Sequence, residues 1–338
     1  MPEMKNSQRR DLLRKIREEI GNTPLHELTD EHINPHKQNA SILIKLEDTN
    51  PTKSIKDRMV AYLIDEYLQE GDDEITFLAA SSGNTGTSLA YICAQLDLRC
   101  IIVTTTKCSA EKLSSCEAHG AEVILVEESH SRQSQDHYEN VARRIASSNP
   151  SIININQYDN RLNPQSYYEG LGPEIWSQTN GRVSHFVASG STCGTITGVA
   201  KYLKEKNPEI RVTLADPYGS SIASKLGYAS RQSWENKSVL EGVGKMYMPP
   251  LLEAGLIDDV VRIADAAAID ACHSLARYED LFLGGSSGLN ICAAREIAEG
   301  ISSGASVVVT IGCDSGEKYA SKIYDSKWLN DLGLDLKC

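Results

Sequence analysis

The chain has 338 residues and is acidic, with 34 Lys and Arg against 46 Asp and Glu and a formal net charge of −12 at pH 7. Nucleic acids and anionic lipid surfaces select for clustered Lys and Arg, so this balance argues against both as partners. The length fits about two domains. No apolar run approaches the ~20 residues of a membrane helix and no secretory signal is recognisable, so we expect a cytoplasmic protein.

Cysteine and histidine give no sign of a metal centre. The nine cysteines are scattered and include no CxxC pair, so we interpret them as buried thiols in a reducing compartment. The eight histidines show no spacing such as HExxH, and no metal site is predicted.

Two helices are predicted in the first 70 residues. Residues 7–20 are charged and amphipathic; a transit peptide would look similar, but the acidic side chains favour a packed surface helix. Residues 54–70 place their apolar side chains on one face, with Ser54 able to cap the start and Gly71 able to end the helix.

Short β-branched runs alternate with helical segments along the rest of the chain, which predicts α/β layers around parallel sheet. The predicted strands are residues 75–80, 100–105, 122–126, 184–189, 211–215, 260–263 and 306–311. Residues 217–244 lack sustained periodicity and are predicted to form a long loop, which in a compact domain is often functional.

Glycine-rich turns stand at four places where a strand should lead into a helix. Such turns present backbone N–H groups to an anion, although a single one is usually turn chemistry only. Because ligands lie at the carboxyl ends of parallel strands, four together indicate one shared pocket. The turns are residues 81–86, 191–195, 284–288 and 314–317.

The common nucleotide and hydrolase motifs are missing. The sequence contains no GxGxxG after a strand, no GxxxxGK[ST] and no GxSxG nucleophile elbow. What remains is Lys56, which a Pro-containing turn places in the first turn of the helix predicted for residues 54–70. That end of a helix disfavours a cation and so suits an amine that forms a Schiff base, although the position by itself favours a solvated surface lysine.

Six motifs in this order resemble the cysteine synthase and cystathionine β-synthase family, whose members are pyridoxal-phosphate enzymes of the tryptophan-synthase-β fold (fold type II). The likeness spans about residues 20–333. The motifs are Gly21-Asn22-Thr23-Pro24-Leu25, Asn50-Pro51 with Ser54-Ile55-Lys56-Asp57-Arg58, Ser82-Gly83-Asn84-Thr85-Gly86, Asn156-Gln157-Tyr158-Asp159-Asn160, Gly285-Ser286-Ser287-Gly288 and Asp314-Ser315-Gly316-Glu317.

The resemblance implies a fold class of α/β with two domains, each with a mainly parallel twisted sheet flanked by helices, and a cofactor cleft between them. We expect a smaller, mobile substrate-carboxylate domain at residues 50–160. Residues 1–49 plus 161–338 should form the larger domain that binds the cofactor phosphate. The family likeness also implies a homodimer.

The same resemblance assigns roles to individual residues. Lys56 would be the lysine that forms the internal aldimine with pyridoxal 5′-phosphate and then the base for the substrate Cα proton. Asn84 would bind the cofactor 3-hydroxyl and Ser286 would face the pyridine nitrogen. The phosphate cup would be Ser191, Thr192, Cys193, Gly194 and Thr195, and the substrate carboxylate would be bound by Ser81, Ser82, Gly83, Thr85 and Gln157.

The implied reaction is β-replacement on O-acetyl- or O-phospho-L-serine through an α-aminoacrylate, with sulfide as acceptor to form L-cysteine. An amine, as in aminocarboxyethyl-glutamate and diaminopropionate-type synthases, and homocysteine are alternative acceptors. A partner-binding homologue is the non-enzymatic alternative. The family's cup usually reads Gly-Thr-Gly-Gly-Thr, and the Ser191 and Cys193 of this chain favour the amine branch, whereas residues 313–319 resemble sulfhydrylases. The small size of Cys193 explains it more simply than a redox role.

Overall fold

The computed structural model describes residues 4–70, 74–81, 83–106, 108–127, 132–228, 238–302, 304 and 306–334. The chain divides into two compact units. The first unit contains Met1–Gly21 and Asn50–Asn163, and the second contains Asn22–Thr49 and Pro164–Cys338.

Strands and helices alternate through most of the described chain, as the sequence predicts. The strands are β1 (Leu25–Glu27), β2 (Ala40–Leu46), β3 (Thr76–Ala80), β4 (Arg99–Thr105), β5 (Glu122–Val126), β6 (Ile152–Asn154), β7 (His185–Ser189), β8 (Arg211–Pro217), β9 (Asp259–Ile263) and β10 (Ser306–Gly312). The helices are α1 (Asn6–Glu19), α2 (Lys56–Glu70), α3 (Asn84–Gln95), α4 (Ala110–Ala118), α5 (Tyr138–Ser148), α6 (Leu162–Glu169), α7 (Leu171–Gln178), α8 (Gly194–Lys206), α9 (Ile222–Lys225), α10 (Asp265–Tyr278), α11 (Gly285–Glu299) and α12 (Ser326–Asp331).

Each unit is built on one sheet. In the first unit the strand order is β5–β4–β3–β6 and every pairing is parallel. In the second unit the order is β1–β2–β10–β7–β8–β9, and all pairings are parallel except that of β1 with β2. Parallel strands need crossover connections, and the helices between the strands supply them. The α/β fold class with two parallel-rich sheets is therefore confirmed.

The N-terminal helix α1 belongs to the first unit. From the sequence we expect residues 1–49 in the larger domain. The contacts of α1 explain the difference. The guanidinium of the buried Arg9 donates to the carbonyl oxygens of Leu96 and Asp97, at 3.2 and 3.1 Å, just beyond the C-terminus of α3. A cation is favourable at that end of a helix. Arg17 also forms a partly exposed ion pair with Asp65 of α2, so α1 contacts two helices of this unit.

All seven predicted strands are present within a few residues of their expected bounds. The three-residue strands β1 and β6 and the seven-residue strand β2 were not predicted. Helix α2 begins at Lys56, two residues after the predicted start, and the N–H of Lys56 donates to the Ser54 hydroxyl at 3.2 Å. The predicted terminator, Gly71, lies outside the described residues. The predicted loop at 217–244 contains the short helix α9, and residues 229–237 of it are outside the described chain.

Helix packing in the second unit depends on glycine at helix contacts. A Cβ on Gly288 of α11 would lie 2.0 Å from the carbonyl oxygen of Ala268 in α10. Gly198 of α8 makes a similar approach, since its Cβ would lie 2.1 Å from the Pro164 carbonyl oxygen in α6. Among the described helices, none is long and apolar enough to cross a membrane.

We expect Gly198→Ala to destabilise the protein by about 1–3 kcal/mol, the usual cost of inserting atoms into a packed interior. Urea unfolding of the full chain measures this. Gly255→Ala is the matched control, because a Cβ at Gly255 has no atom within 4 Å and the residue has no left-handed φ. Equal stability of the two variants would contradict the close approach of α8 and α6.

Candidate active site

Lys56 follows a tight turn in the first unit. The N–H of Lys53 donates to the Asn50 carbonyl oxygen at 2.7 Å, and Lys53 has a left-handed φ of 55°. The Asn50 side chain accepts from the N–H of Gly21 at 2.9 Å. This turn ends at the half-buried Lys56, which is the first residue of α2. The lysine therefore stands at a helix N-terminus, as the sequence predicts.

The turn between β3 and α3 is shaped by Ser81. Its hydroxyl oxygen accepts from the N–H groups of Gly83 and Gly86 at 3.2 and 3.1 Å and lies 3.3 Å from the Gly83 carbonyl oxygen. Ser81 thus holds the turn that leads into Asn84, the first residue of α3. Ser82, also assigned to the substrate carboxylate, lies outside the described residues. The side chain of buried Lys112 packs on the turn, with its Nζ 3.6 Å from where a Gly83 Cβ would be.

Thr85 and Gln157 meet, although 72 residues separate them in the sequence. The Thr85 hydroxyl donates to the Gln157 side-chain oxygen at 2.8 Å, and the Gln157 amide donates to the Ala80 carbonyl oxygen at 2.9 Å. The Gln157 carbonyl oxygen accepts from Asn163 at 2.7 Å. Both side chains are buried. The first unit therefore brings together the end of β3, the start of α3 and the segment after β6.

The second unit contains the candidate phosphate cup, between β7 and α8. Ser191, Thr192 and Thr195 are half-buried, and α8 begins at Gly194. Cys193 has a left-handed φ of 65°, a conformation that glycine adopts at less cost. Its thiol is buried, and this burial is the main reason why the pKa of Cys193 is raised above the ordinary range; the Asp216 charge raises it further and the Lys245 charge lowers it.

Ser286 lies in the first turn of α11 and is buried. The backbone before it is held by the segment that follows β10. The N–H of Gly284 donates to the Asp314 carbonyl oxygen at 2.9 Å, and a Cβ on Gly284 would lie 2.2 Å from the Asp314 carboxylate. That carboxylate accepts from the Tyr319 hydroxyl at 2.6 Å. The second unit thus joins two of the predicted glycine-rich turns.

The cup residues fit the phosphate of pyridoxal 5′-phosphate. The first-turn N–H groups of α8, a helix of 13 residues, point out of its N-terminus, which favours an anion. Gly190 leaves room for the Cys193 thiol, because a Cβ on Gly190 would lie 2.6 Å from the Cys193 sulfur. Three hydroxyl side chains add further donors.

Residues 16–314 match the family model described as pyridoxal-phosphate dependent enzyme. The chain belongs to this family. It is therefore a pyridoxal-phosphate-dependent enzyme, and the cofactor and family implied by its motifs are confirmed. The matched range includes every residue assigned above to the cofactor or the substrate, since these residues lie between Lys56 and Ser286.

Individual relatives agree with the family. A cysteine synthase 1 of Emericella nidulans is 33% identical over 334 residues, which cover 97% of this chain and 89% of the relative. The crystal structure of an O-ureido-L-serine synthase superposes with a TM-score of 0.83 at 28% identity, covering 92% of this chain and 95% of that one. An O-acetylserine dependent cystathionine beta-synthase from Helicobacter pylori has a TM-score of 0.82 at 32% identity, with 92% and 98% coverage.

Sequence reasoning assigned no role to Asp57, Lys112 or Lys245. Asp57 stood inside a quoted motif, but nothing in its spacing shows that its carboxylate is buried. Lys245 belongs to none of the quoted motifs, and the structure places its charge close enough to Cys193 to affect the pKa of that thiol. Lys112 packs on a turn and Lys245 lies near Cys193 only through the tertiary fold, and Asp57 meets Ser88 in the same way.

We expect Cys193 to resist alkylation in the native enzyme at about pH 8, where an ordinary exposed thiol reacts. The cause is its burial together with its raised pKa, which leave little accessible thiolate. Iodoacetamide labelling followed by peptide mass spectrometry measures this, and the same peptide labelled in denaturant is the control. Native labelling at the rate of free cysteine would show that the cup exposes this thiol.

Proposed function

We propose that this enzyme catalyses β-replacement on an activated L-serine, O-acetyl- or O-phospho-L-serine, with sulfide as acceptor, to form L-cysteine. The observation that carries the proposal is in the first unit, where Lys56 and Asn84 begin two helices that are joined by a hydrogen bond from Ser88 to Asp57. The names of the similar proteins support it, since cysteine, cystathionine and O-ureido-L-serine differ in the group carried by the β-carbon.

The residues present can hold the cofactor by three kinds of contact. The amine of Lys56 would bind its carbonyl carbon covalently. The Asn84 amide would donate to its ring hydroxyl, and the hydroxyl of Ser286 would face the ring nitrogen. The backbone and hydroxyl donors of residues 191–195 would bind the phosphate. Pyridoxal phosphate, when bound, supplies an electron sink for the amino acid attached to it.

The Lys56 amine would take the proton from the substrate Cα, and this makes departure of the β-substituent possible. The Cβ–oxygen bond breaks, and acetate or phosphate leaves with the electron pair. Hydrosulfide then forms the new Cβ–sulfur bond, and a proton returns to Cα. The balance is O-acetyl-L-serine plus hydrosulfide giving L-cysteine plus acetate.

The substrate carboxylate would be bound by the turn before α3. Gln157 is positioned for this by its bonds to Thr85 and Ala80, and the N–H groups of Asn84 and Thr85 stand at the N-terminus of α3, which favours an anion. The hydroxyl of Ser81 is engaged within the turn. We therefore propose that Ser81 shapes this site and that Thr85 and Gln157 bind or orient the carboxylate.

Lys56→Ala should abolish the visible absorption band of the covalently held cofactor and lower the rate of β-replacement by about 10²–10⁴-fold, the usual contribution of a general base. Absorption spectra of purified protein with added pyridoxal phosphate, and an assay for L-cysteine, measure these effects. Lys15→Ala is the matched control, since Lys15 is an exposed lysine of α1. A K56A variant with full activity would overturn the proposal.

A second experiment identifies the leaving group and the acceptor. Wild-type enzyme receives O-acetyl-L-serine or O-phospho-L-serine with sulfide, L-homocysteine or an amino-acid amine, and mass spectrometry identifies the product. We expect L-cysteine from sulfide. If the product with an amine or with L-homocysteine forms faster than L-cysteine, that compound and not sulfide is the preferred acceptor. Cofactor binding without any turnover would favour the partner-binding homologue.

A further inference from the structure

Asp57 is fully buried although it directly follows Lys56. A buried carboxylate is costly unless hydrogen-bond donors surround it. Here the N–H of Thr52 donates to one carboxylate oxygen at 2.7 Å. The hydroxyls of Thr52 and Ser88 both lie 2.5 Å from the other oxygen and donate to it. These two hydroxyls are also 3.2 Å apart, so the three side chains form a closed cluster.

The cluster connects three segments of the first unit. Thr52 belongs to the turn in which Lys53 has its left-handed φ, Asp57 lies in the first turn of α2, and Ser88 lies in α3. Ser88 is four residues after Asn84 and therefore on the same face of α3. The carboxylate thus fixes the backbone on both sides of Lys56 to the helix that carries Asn84.

We propose that Asp57 is a positioning residue that holds Lys56 in its orientation relative to Asn84. The proposal rests on the function proposed above, because orientation matters only if Lys56 acts on the cofactor and substrate. A general base must lie within hydrogen-bond reach of the proton it removes. A displacement of about 1 Å can cost 10²-fold in rate, so a loosened turn lowers turnover more than substrate binding.

The test uses holoenzyme and three variants. Asp57→Asn keeps the side-chain shape but places an NH₂ group where a carboxylate oxygen accepts. Ser88→Ala removes a single donor and disturbs the fold less. Asp65→Asn is the matched control, because Asp65 lies on the same helix but pairs with Arg17 instead, and such a partly exposed pair contributes little.

The measurements are kcat, KM, thermal unfolding and the visible circular dichroism of the bound cofactor, which reports the orientation of its ring. We expect D57N to lower kcat at least tenfold with a smaller change in KM, and to change the amplitude of the visible signal. S88A should change kcat and the amplitude of the visible signal in the same directions as D57N, but by smaller amounts. D65N should match the wild type in all four measurements.

The contrary results separate the two proposals. Variants that unfold at lower temperature but keep wild-type kcat and visible dichroism would show a structural role only and would overturn the inference about Asp57. If D57N does not fold, the kcat and dichroism of S88A decide the question in the same way. A wild-type protein without a visible cofactor band or without turnover would overturn the proposed function, and the inference with it.

Discussion

Parallel strand pairing is the constraint on which the rest of this structure depends. Strands that run in the same direction bring their carboxyl ends to one edge of the sheet, and the turns that follow them become neighbours. In the first unit, β3 pairs with both β4 and β6, so Thr85 and Gln157 meet. In the second unit, the cup follows β7, and β7 pairs with β10, which precedes Asp314. In each unit the polar turns are therefore brought together by strand pairing, and not by their closeness in the sequence.

Two of these turns contain a glycine where a side chain would clash with a neighbouring residue. Gly190 and Gly284 have space for no Cβ, because Cys193 and Asp314 occupy that space. Cys193 itself adopts a left-handed φ, which costs more for a side chain than for glycine. Backbone strain of this kind persists where surrounding contacts over-determine it and is common at functional sites. The segment proposed as the phosphate cup therefore includes a strained, buried residue at Cys193.

Buried polar side chains hold the polar turns of each unit in place. Asp57, Gln157 and Asp314 are all buried. Asp57 and Gln157 are hydrogen-bonded to groups 31 and 77 residues away in the sequence, and Asp314 accepts from the nearby Tyr319 hydroxyl. Leaving such a group without partners costs about 1–3 kcal/mol, so the correct arrangement is strongly preferred over loosened alternatives.

The sequence by itself determined the α/β class, seven strands, the Lys56 helix and the family, because these depend on local periodicity and on short motifs. The sequence did not predict β2, because a lysine such as Lys45 is expected at the surface. In the structure Lys45 is fully buried, and its Nζ lies 2.7 Å from the Glu174 carboxylate. The sequence also missed the three-residue strands β1 and β6, which are too short for a period. Only the tertiary structure decided that α1 joins the first unit and that Asp57 meets Ser88. Those contacts join residues 31 or more positions apart, and no local pattern encodes such distant pairings.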